Sequence, residues 1–369
     1  MTSIGKGLGI GLVVVAAAQV SASAATQPRH HPKPPATTHH KAAYKPAALP
    51  APRQLANRID DLGRGFSGRV GIAVESIDDG WKTGWKAEDL YPQQSVSKLW
   101  VSITALDAVD RGRVDLDDKI TLTRADLTVF HQPIAAEVLD DGSYTTTLRD
   151  LMKRAITTSD NTANDRLMRA VGGPSAVRAM IARKGLGAIR FANGERDMQS
   201  RIAGLTWRQS YAVNGNFFEA RDSLPIKKRS SAFKRYIADP YDGAAPSAIV
   251  GALASLKRGE LLSPASTALL LDVMGHTRTG PNRLKGGLQR GWTLSHKTGT
   301  GQVLGGVQAG YNDIGILTAP DGRSYAVAVM IKKTSTPLPV RMTLMNNVVE
   351  AVIDEHDRAR GGNIASRRR

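Results

Sequence analysis

The chain has 369 residues, 41% of them hydrophobic and 22% charged, with a formal charge of +17 and no cysteine. Such a composition belongs to a globular protein with enough sequence to build a buried core, and it excludes a fibrous or wholly disordered chain. Without cysteine the fold is held by its core alone, and thiol catalysis, disulfides and thiolate zinc sites are excluded.

The first residues, "MTSIGKG", carry one lysine and precede a short apolar run, "LGIGLVVVAAA", and "ASA" at Ala22 to Ala24. This is the pattern of a secretory signal peptide, residues 1–24, with cleavage expected near Ala24 and a periplasmic or secreted destination. The run is too short to span a bilayer unaided. Residues 25–53 are rich in Pro, Ala, His and Lys, with no acidic residue, and read as an extended linker. Four of the eight histidines stand there (His30, His31, His39, His40), as solvated groups of a tether without the fixed geometry of a metal site. Five Lys or Arg in the linker, and five Arg against one Asp in "DRARGGNIASRRR" (basic tail 358–369), would draw these ends to anionic cell-wall or membrane surfaces. No nucleic-acid recognition pattern accompanies the charge, so no nucleic-acid partner is expected.

From Gly68, "GRVGIAVESIDDGWKTGWKAED" alternates apolar and polar residues across a turn at Asp78 to Gly80, which predicts two antiparallel strands. In "SVSKLWVSITALDAVDRGRV", Val96, Leu99, Trp100, Ile103, Leu106 and Val109 share one face, which predicts an amphipathic helix beginning near Ser95. Helices are predicted through the middle, in "TTTLRDLMKRAITT", "NTANDRLMRAV", "GPSAVRAMIARKG", "AIVGALASLKRG" and "SPASTALLLDVM", the last with Ser263 as N-cap and Pro264 at its first position. Strands return in "GWTLSHKTGTG", "GGVQAGYNDIGILTAPDG" and "RSYAVAVMIKKT", and "VRMTLMNNVVEAVIDEH" predicts a closing helix. The fold expected is α/β (α+β): an antiparallel sheet flanked by helices, about 54–94 and 285–357, with a mostly helical domain, about 95–284, inserted. The cleft between the two parts is the expected site.

Three short motifs carry chemistry. A serine hydroxyl needs a base within hydrogen-bond reach, and "SVSK" places Lys98 three residues after Ser95, on the same helical face. Alone this is weak, because two common residue types at a fixed offset recur by chance, and a lysine acts as base only where desolvation or a second cation favours its neutral form. "TTSDNTAN" puts Ser159, Asp160 and Asn161 at a helix start, either as capping residues or with Ser159 relaying a proton and Asn161 holding a substrate amide. "SHKTGTG" puts Lys297, Thr298 and Gly299 on a strand, where the glycines would let a substrate lie against the edge.

In this order Ser-x-x-Lys, Ser-Asp-Asn and Lys-Thr-Gly match the signature of serine β-lactamases and penicillin-binding proteins, and from about Leu55 to His356 the chain resembles the class A β-lactamase family. The resemblance implies a β-lactamase-like fold in a catalytic domain of residues 54–357. It implies Ser95 as nucleophile, Lys98 as general base, Ser159 as proton relay, and Asn161 as a substrate hydrogen-bond partner. Lys297, Thr298, Gly299 and Thr300 would line the carboxylate side, with backbone N–H of Ser95 and Thr300 as oxyanion hole. Arg283, fourteen residues before Lys297, matches an arginine that assists carboxylate binding in one branch, and Phe130 falls where the family places an aromatic at the cleft mouth. The family's water-activating glutamate lands on Glu195, although Arg196 stands where the family has proline and Gln199 where it has asparagine; Gln199 offers the same amide chemistry on a longer arm. A basic, aromatic-bearing insertion near 205–246 is longer than the family's segment and would be a lid, a binder of acidic polymer or a neutral elaboration. The activity implied is hydrolysis of a β-lactam by a monomer without metal or organic cofactor. The alternatives are a penicillin-binding D,D-peptidase or amidase acting on peptidoglycan stems, and a non-catalytic cell-wall binding or sensor protein.

Overall fold

The computed structural model describes residues 49–366, with side chains as far as Gly361. The expected signal peptide, the linker up to residue 48 and the last three tail residues lie outside the described residues. Helix α1 (Arg53–Gly65) leads into β1 (Arg69–Ser76), a turn over 77–79 and β2 (Lys82–Trp85). The two strands pair antiparallel, with Val74 opposite Thr83. Their polarity differs from the sequence expectation, because β1 is buried at every residue after Arg69. Its side chains alternate between two cores instead of between core and water.

After β3 (Tyr91–Pro92) a 3-10 turn, Gln94–Ser97, runs directly into α2 (Lys98–Asp110). Ser95 therefore lies in the tight turn before the helix, where side chains at i and i+3 eclipse. The predicted apolar face of α2 exists, but every residue from Lys98 to Asp107 is buried. This helix is central rather than amphipathic.

It packs among helices from the middle of the chain. The chain passes through β4 (Lys119–Thr123), α3 (Ala135–Asp141), β5 (Ser143–Thr147), α4 (Leu148–Thr157), α5 (Asn161–Ala170) and α6 (Gly173–Arg183). The start of "TTTLRDLMKRAITT" is strand and not helix: β4 and β5 pair, and Thr147 then caps α4 by accepting from Asp150 N at 3.2 Å. Helix α7 (Glu195–Ala203) begins at Glu195, and the insertion folds as a 3-10 turn (Gln209–Ala212), α8 (Asn216–Asp222) and α9 (Ile226–Ala238). It closes in β6 (Gly243–Ala244), which pairs with β3 immediately upstream of the Ser95 turn.

Helices α10 (Pro246–Lys257) and α11 (Pro264–Gly275) follow, the second capped by Ser263 Oγ accepting from Ser266 N at 3.2 Å. Strands β7 (Thr293–Thr300), β8 (Val303–Leu304), β9 (Val307–Thr318) and β10 (Ser324–Thr334) precede α12 (Leu338–Ser366). The main sheet is antiparallel throughout, in the order β2-β1-β10-β9-β7, with β8 also on β9. Strands from both ends of the chain thus meet at its centre, with Ile72 opposite Val329. Ala73, Ala326 and Ala328 face the core shared with α10, while Ile72, Val74, Val327 and Val329 face the core shared with α1 and α12. Small residues on the α10 side let that helix approach the sheet closely. The basic tail expected from residue 358 continues α12 as far as Ser366, with Arg358 on Glu355 and Arg360 3.8 Å from Asp321.

Candidate active site

The residues singled out by the three motifs converge between the helical part and β7. Lys98, fully buried at the first position of α2, donates from Nζ to Ser95 Oγ at 2.7 Å. The same ammonium is in contact with the Glu195 carboxylate, a short ion pair with both groups buried. Lys98 is thus buried, with the Lys297 cation nearby and the Glu195 anion in direct contact.

On the opposite wall, Lys297 Nζ donates to Ser159 Oγ at 2.9 Å and to Thr298 O at 2.9 Å. Burial holds the Lys297 ammonium well below the usual lysine range, and the positive charges of Lys98 and Arg283 act in the same direction. Ser159 has φ +62°, a left-handed backbone that a serine keeps only where its surroundings fix it. The capping role falls to Asp160, which accepts from Ala163 N at 2.9 Å and from Ile134 N at 2.7 Å. Ser159 is thus released from the cap and turned towards Lys297. Burial raises the Asp160 carboxyl above its ordinary range, against the lowering effect of those two backbone bonds.

Asn161 donates from Nδ2 to Val129 O at 2.8 Å and from its backbone N to His131 O at 2.9 Å. It therefore clamps the loop that carries Phe130, itself left-handed at φ +65°. The half-buried Phe130 ring lies 5.0 Å from Phe217 and 5.7 Å from Phe218 on α8. Those rings belong to the insertion, which places its aromatic residues at this edge of the site.

Gly299 and Gly301 lie where the protein's own backbone comes close. A side chain at Gly299 would meet Gln93 O at 2.3 Å, and one at Gly301 would meet Ala309 O at 1.7 Å. Their missing side chains admit the protein's own backbone, and Gly299 in particular admits the turn that bears Ser95. Thr298 Oγ1 shares a hydrogen bond with Thr279 Oγ1 at 2.6 Å, and Thr300 Oγ1 accepts from Arg283 Nη2 at 2.6 Å. Arg283 is buried: Nη1 donates to Asn312 O at 2.7 Å and Gly299 O at 3.1 Å, and its guanidinium stacks 3.8 Å over the Tyr311 ring. Arg283 thus reaches the site edge through Thr300 Oγ1, and its Nη1 is held by β7 and β9.

Glu195 sits at the N-terminus of α7. Its backbone N donates to Asp165 at 3.0 Å, and the preceding Gly194 has φ +93° with Asp165 and Met168 too close to admit a side chain. Asp165 is pushed up to about 6, by burial first and then by the Glu195 carboxylate. Gln199 Nε2 donates to Glu195 Oε2 at 3.1 Å, one helical turn away, and to Gln94 Oε1 at 3.1 Å, while Gln302 Nε2 donates to Gln199 Oε1 at 3.0 Å.

Several residues escape sequence reasoning altogether. Gln94, left-handed at φ +54°, donates its backbone N to Asp242 at 2.6 Å. Asn312 Nδ2 donates to Pro92 O at 2.7 Å and Gln93 O at 3.0 Å, pinning the strand that enters the Ser95 turn. Asp242 is pushed up to about 6 by burial, against the lowering bonds from Gln94 N and Tyr236 OH. None of these has a local motif, since Asp242 and Asn312 lie far along the chain from Gln94.

Residues 54–356 match the beta-lactamase enzyme family. The chain is 29% identical over 284 residues to the extended-spectrum beta-lactamase PER-1 of Pseudomonas aeruginosa, covering 76% of this chain and 80% of that one. Beta-lactamase VEB-1 of the same organism is 23% identical over 296 residues, 80% of this chain and 88% of that one. Among solved structures, TLA-1 extended spectrum beta-lactamase superposes with a TM-score of 0.68 at 27% identity, over 82% of this chain and 98% of the other. A beta-lactamase from Chitinophaga pinensis gives 0.67 at 26% identity, over 82% and 99%. The chain belongs to the beta-lactamase enzyme family, in its class A serine branch.

Proposed function

We propose that the protein is an exported beta-lactamase that opens the lactam amide through a Ser95 acyl-enzyme and hydrolyses that ester with a water activated by Glu195. The observation that carries this reading is the chain of contacts from Ser95 Oγ to Lys98 Nζ to the Glu195 carboxylate. In acylation Lys98, made neutral by handing its proton to Glu195, takes the Ser95 hydroxyl proton and passes it on to Ser159, after which Glu195 returns its proton to Lys98. Ser95 Oγ bonds to the lactam carbonyl carbon, the C–N bond breaks, and Ser159, polarised by Lys297, delivers a proton to the departing nitrogen. Backbone N–H of Ser95 and Thr300 would stabilise the oxyanion. Lys297 and Thr298, with Arg283 behind Thr300, give a positive wall for the substrate carboxylate, and Asn161 a partner for its side-chain amide.

In deacylation Glu195 draws a proton from water, which attacks the ester carbonyl; the bond from the carbonyl carbon to Ser95 Oγ then breaks, and the proton returns from Glu195 through Lys98 to Ser95 Oγ. Gln199 supports this by donating to Glu195 Oε2. We further propose that residues 1–24 direct export and that the basic ends favour anionic cell-wall or membrane surfaces. Intact-protein mass spectrometry after mixing with a penicillin, alongside drug absorbance, tests the reading. A transient adduct with catalytic loss of drug is the expected result. A stable adduct with stoichiometric loss would identify a penicillin-binding peptidase instead, and no adduct a non-catalytic binder.

A further inference from the structure

We propose that Tyr236, on the inserted helix α9, is a positioning residue for deacylation: its hydroxyl fixes the Gln94 side chain and, through Gln94 and Gln199, sets the Glu195 carboxylate. This rests on the reading of Glu195 as the water-activating group. Tyr236 is fully buried. Its hydroxyl accepts from Gln94 Nε2 at 2.5 Å and donates to Asp242 Oδ1 at 3.0 Å. Gln94 Oε1 accepts in turn from Gln199 Nε2 at 3.1 Å, and that nitrogen also donates to Glu195 Oε2 at 3.1 Å. The bond from Gln302 to Gln199 Oε1 at 3.0 Å fixes the amide so that its nitrogen, not its oxygen, faces the carboxylate.

The insertion is therefore joined to the site in two ways. Phe233 and Tyr236 of α9 form an apolar cluster with Met198 and Ile202 of α7, the helix that carries Glu195 and Gln199. The polar path from Tyr236 then runs through the residue immediately before the nucleophile. Removing only the phenolic hydroxyl would leave Gln94 Nε2 as a buried donor without an acceptor. Rotation of the Gln94 amide is the available relief, and it breaks the bond to Gln199. The Gln94 backbone stays held, because its N donates to Asp242 Oδ2 at 2.6 Å independently of the phenol. Loss of the hydroxyl is thus directed at the glutamate end of the network and spares the Ser95 turn.

The test is Tyr236→Phe, assayed with a chromogenic cephalosporin by steady-state kinetics and by quenched intact-mass spectrometry. Expected are falls in kcat and KM together by about tenfold, a kcat/KM within about twofold of wild type, and acyl-enzyme visible at steady state. Phe233→Leu, on the same helix but outside the polar path, should lower the melting temperature without splitting kcat from kcat/KM. Wild-type kcat in Tyr236→Phe would overturn the proposal, and so would equal falls in kcat and kcat/KM. Glu195→Gln, run in parallel, separates the two ideas. If it turns over normally, the water-activation reading fails and this proposal with it. If it stalls as acyl-enzyme while Tyr236→Phe turns over normally, the Tyr236 proposal alone fails.

Discussion

Replacing Gly299 by alanine tests how the turn that bears Ser95 is held in place. The added methyl would stand 2.3 Å from Gln93 O, 3.1 Å from Asn312 Nδ2 and 3.3 Å from Val96 Cγ2. The first of these is backbone and has little freedom to yield. Gln93 O accepts from Asn312 Nδ2, and the Gln93 side chain is tied to Arg190 O at 2.8 Å and Asp242 O at 2.6 Å. Ordinary contact lies on the order of 1 Å further out, so β7 and the turn at Gln94–Ser97 must separate by about that much. A displacement of this size in a reacting group costs about a hundredfold in rate, and overpacking of this kind costs about 1–3 kcal/mol in stability. Stopped-flow acylation with a cephalosporin and a thermal melt measure the two effects. Gly65→Ala, where an added methyl meets nothing within 4 Å, should change neither. Acylation by Gly299→Ala at the wild-type rate with an unchanged melting temperature would refute the packing argument.

Three further outcomes follow from the same geometry. Because the Asp165 carboxyl is raised to about 6 in the fold, its protonated form is favoured there, and its contribution to stability falls as pH rises through about 4 to 6. Asp165→Asn should therefore compare better with wild type in melts at pH 7 than at pH 4.5, and a pH-independent difference would contradict this. Phe217, buried against Phe130, should cost about 3–5 kcal/mol on replacement by alanine, as read by urea titration; a change under about 1 kcal/mol would show that the aromatic cluster is not a packed core. Lys297→Ala should lose more kcat/KM on a cephalosporin with a free carboxylate than on its methyl ester, and equal losses would remove Lys297 from carboxylate binding.

What the sequence discloses is what is local. Ser95 and Lys98 meet because three residues separate them, and Ser159 reaches Lys297 once strand and helix start are set side by side. Periodicity finds β1, β2, β7, β9 and β10 and the helices around them, but it misses the short β4–β5 pair and does not distinguish a helix with one apolar face from α2, whose polar Ser102 and Thr104 are buried as well. Nor does it reveal that β1 faces two cores, since an alanine and a valine look equally apolar on either side. That Gly299 also makes room for the Ser95 turn is visible only in the fold. The network of Gln94, Tyr236, Asp242 and Gln199 is not legible at all, because it joins four segments whose common position depends on the fold. The insertion looks optional in the sequence for the same reason. Its buried tyrosine becomes meaningful only when α9 is seen against α7.

The central claim, acylation at Ser95 followed by Glu195-dependent hydrolysis, is tested most directly by trapping a penicillin on Glu195→Gln and mapping the adduct by proteolysis and tandem mass spectrometry. The expected result is a stable acyl mass on Ser95, absent from the Ser95→Ala, Glu195→Gln double variant and transient in wild type. An adduct on another residue, or a Glu195→Gln protein that releases the acyl group as fast as wild type, would contradict the account.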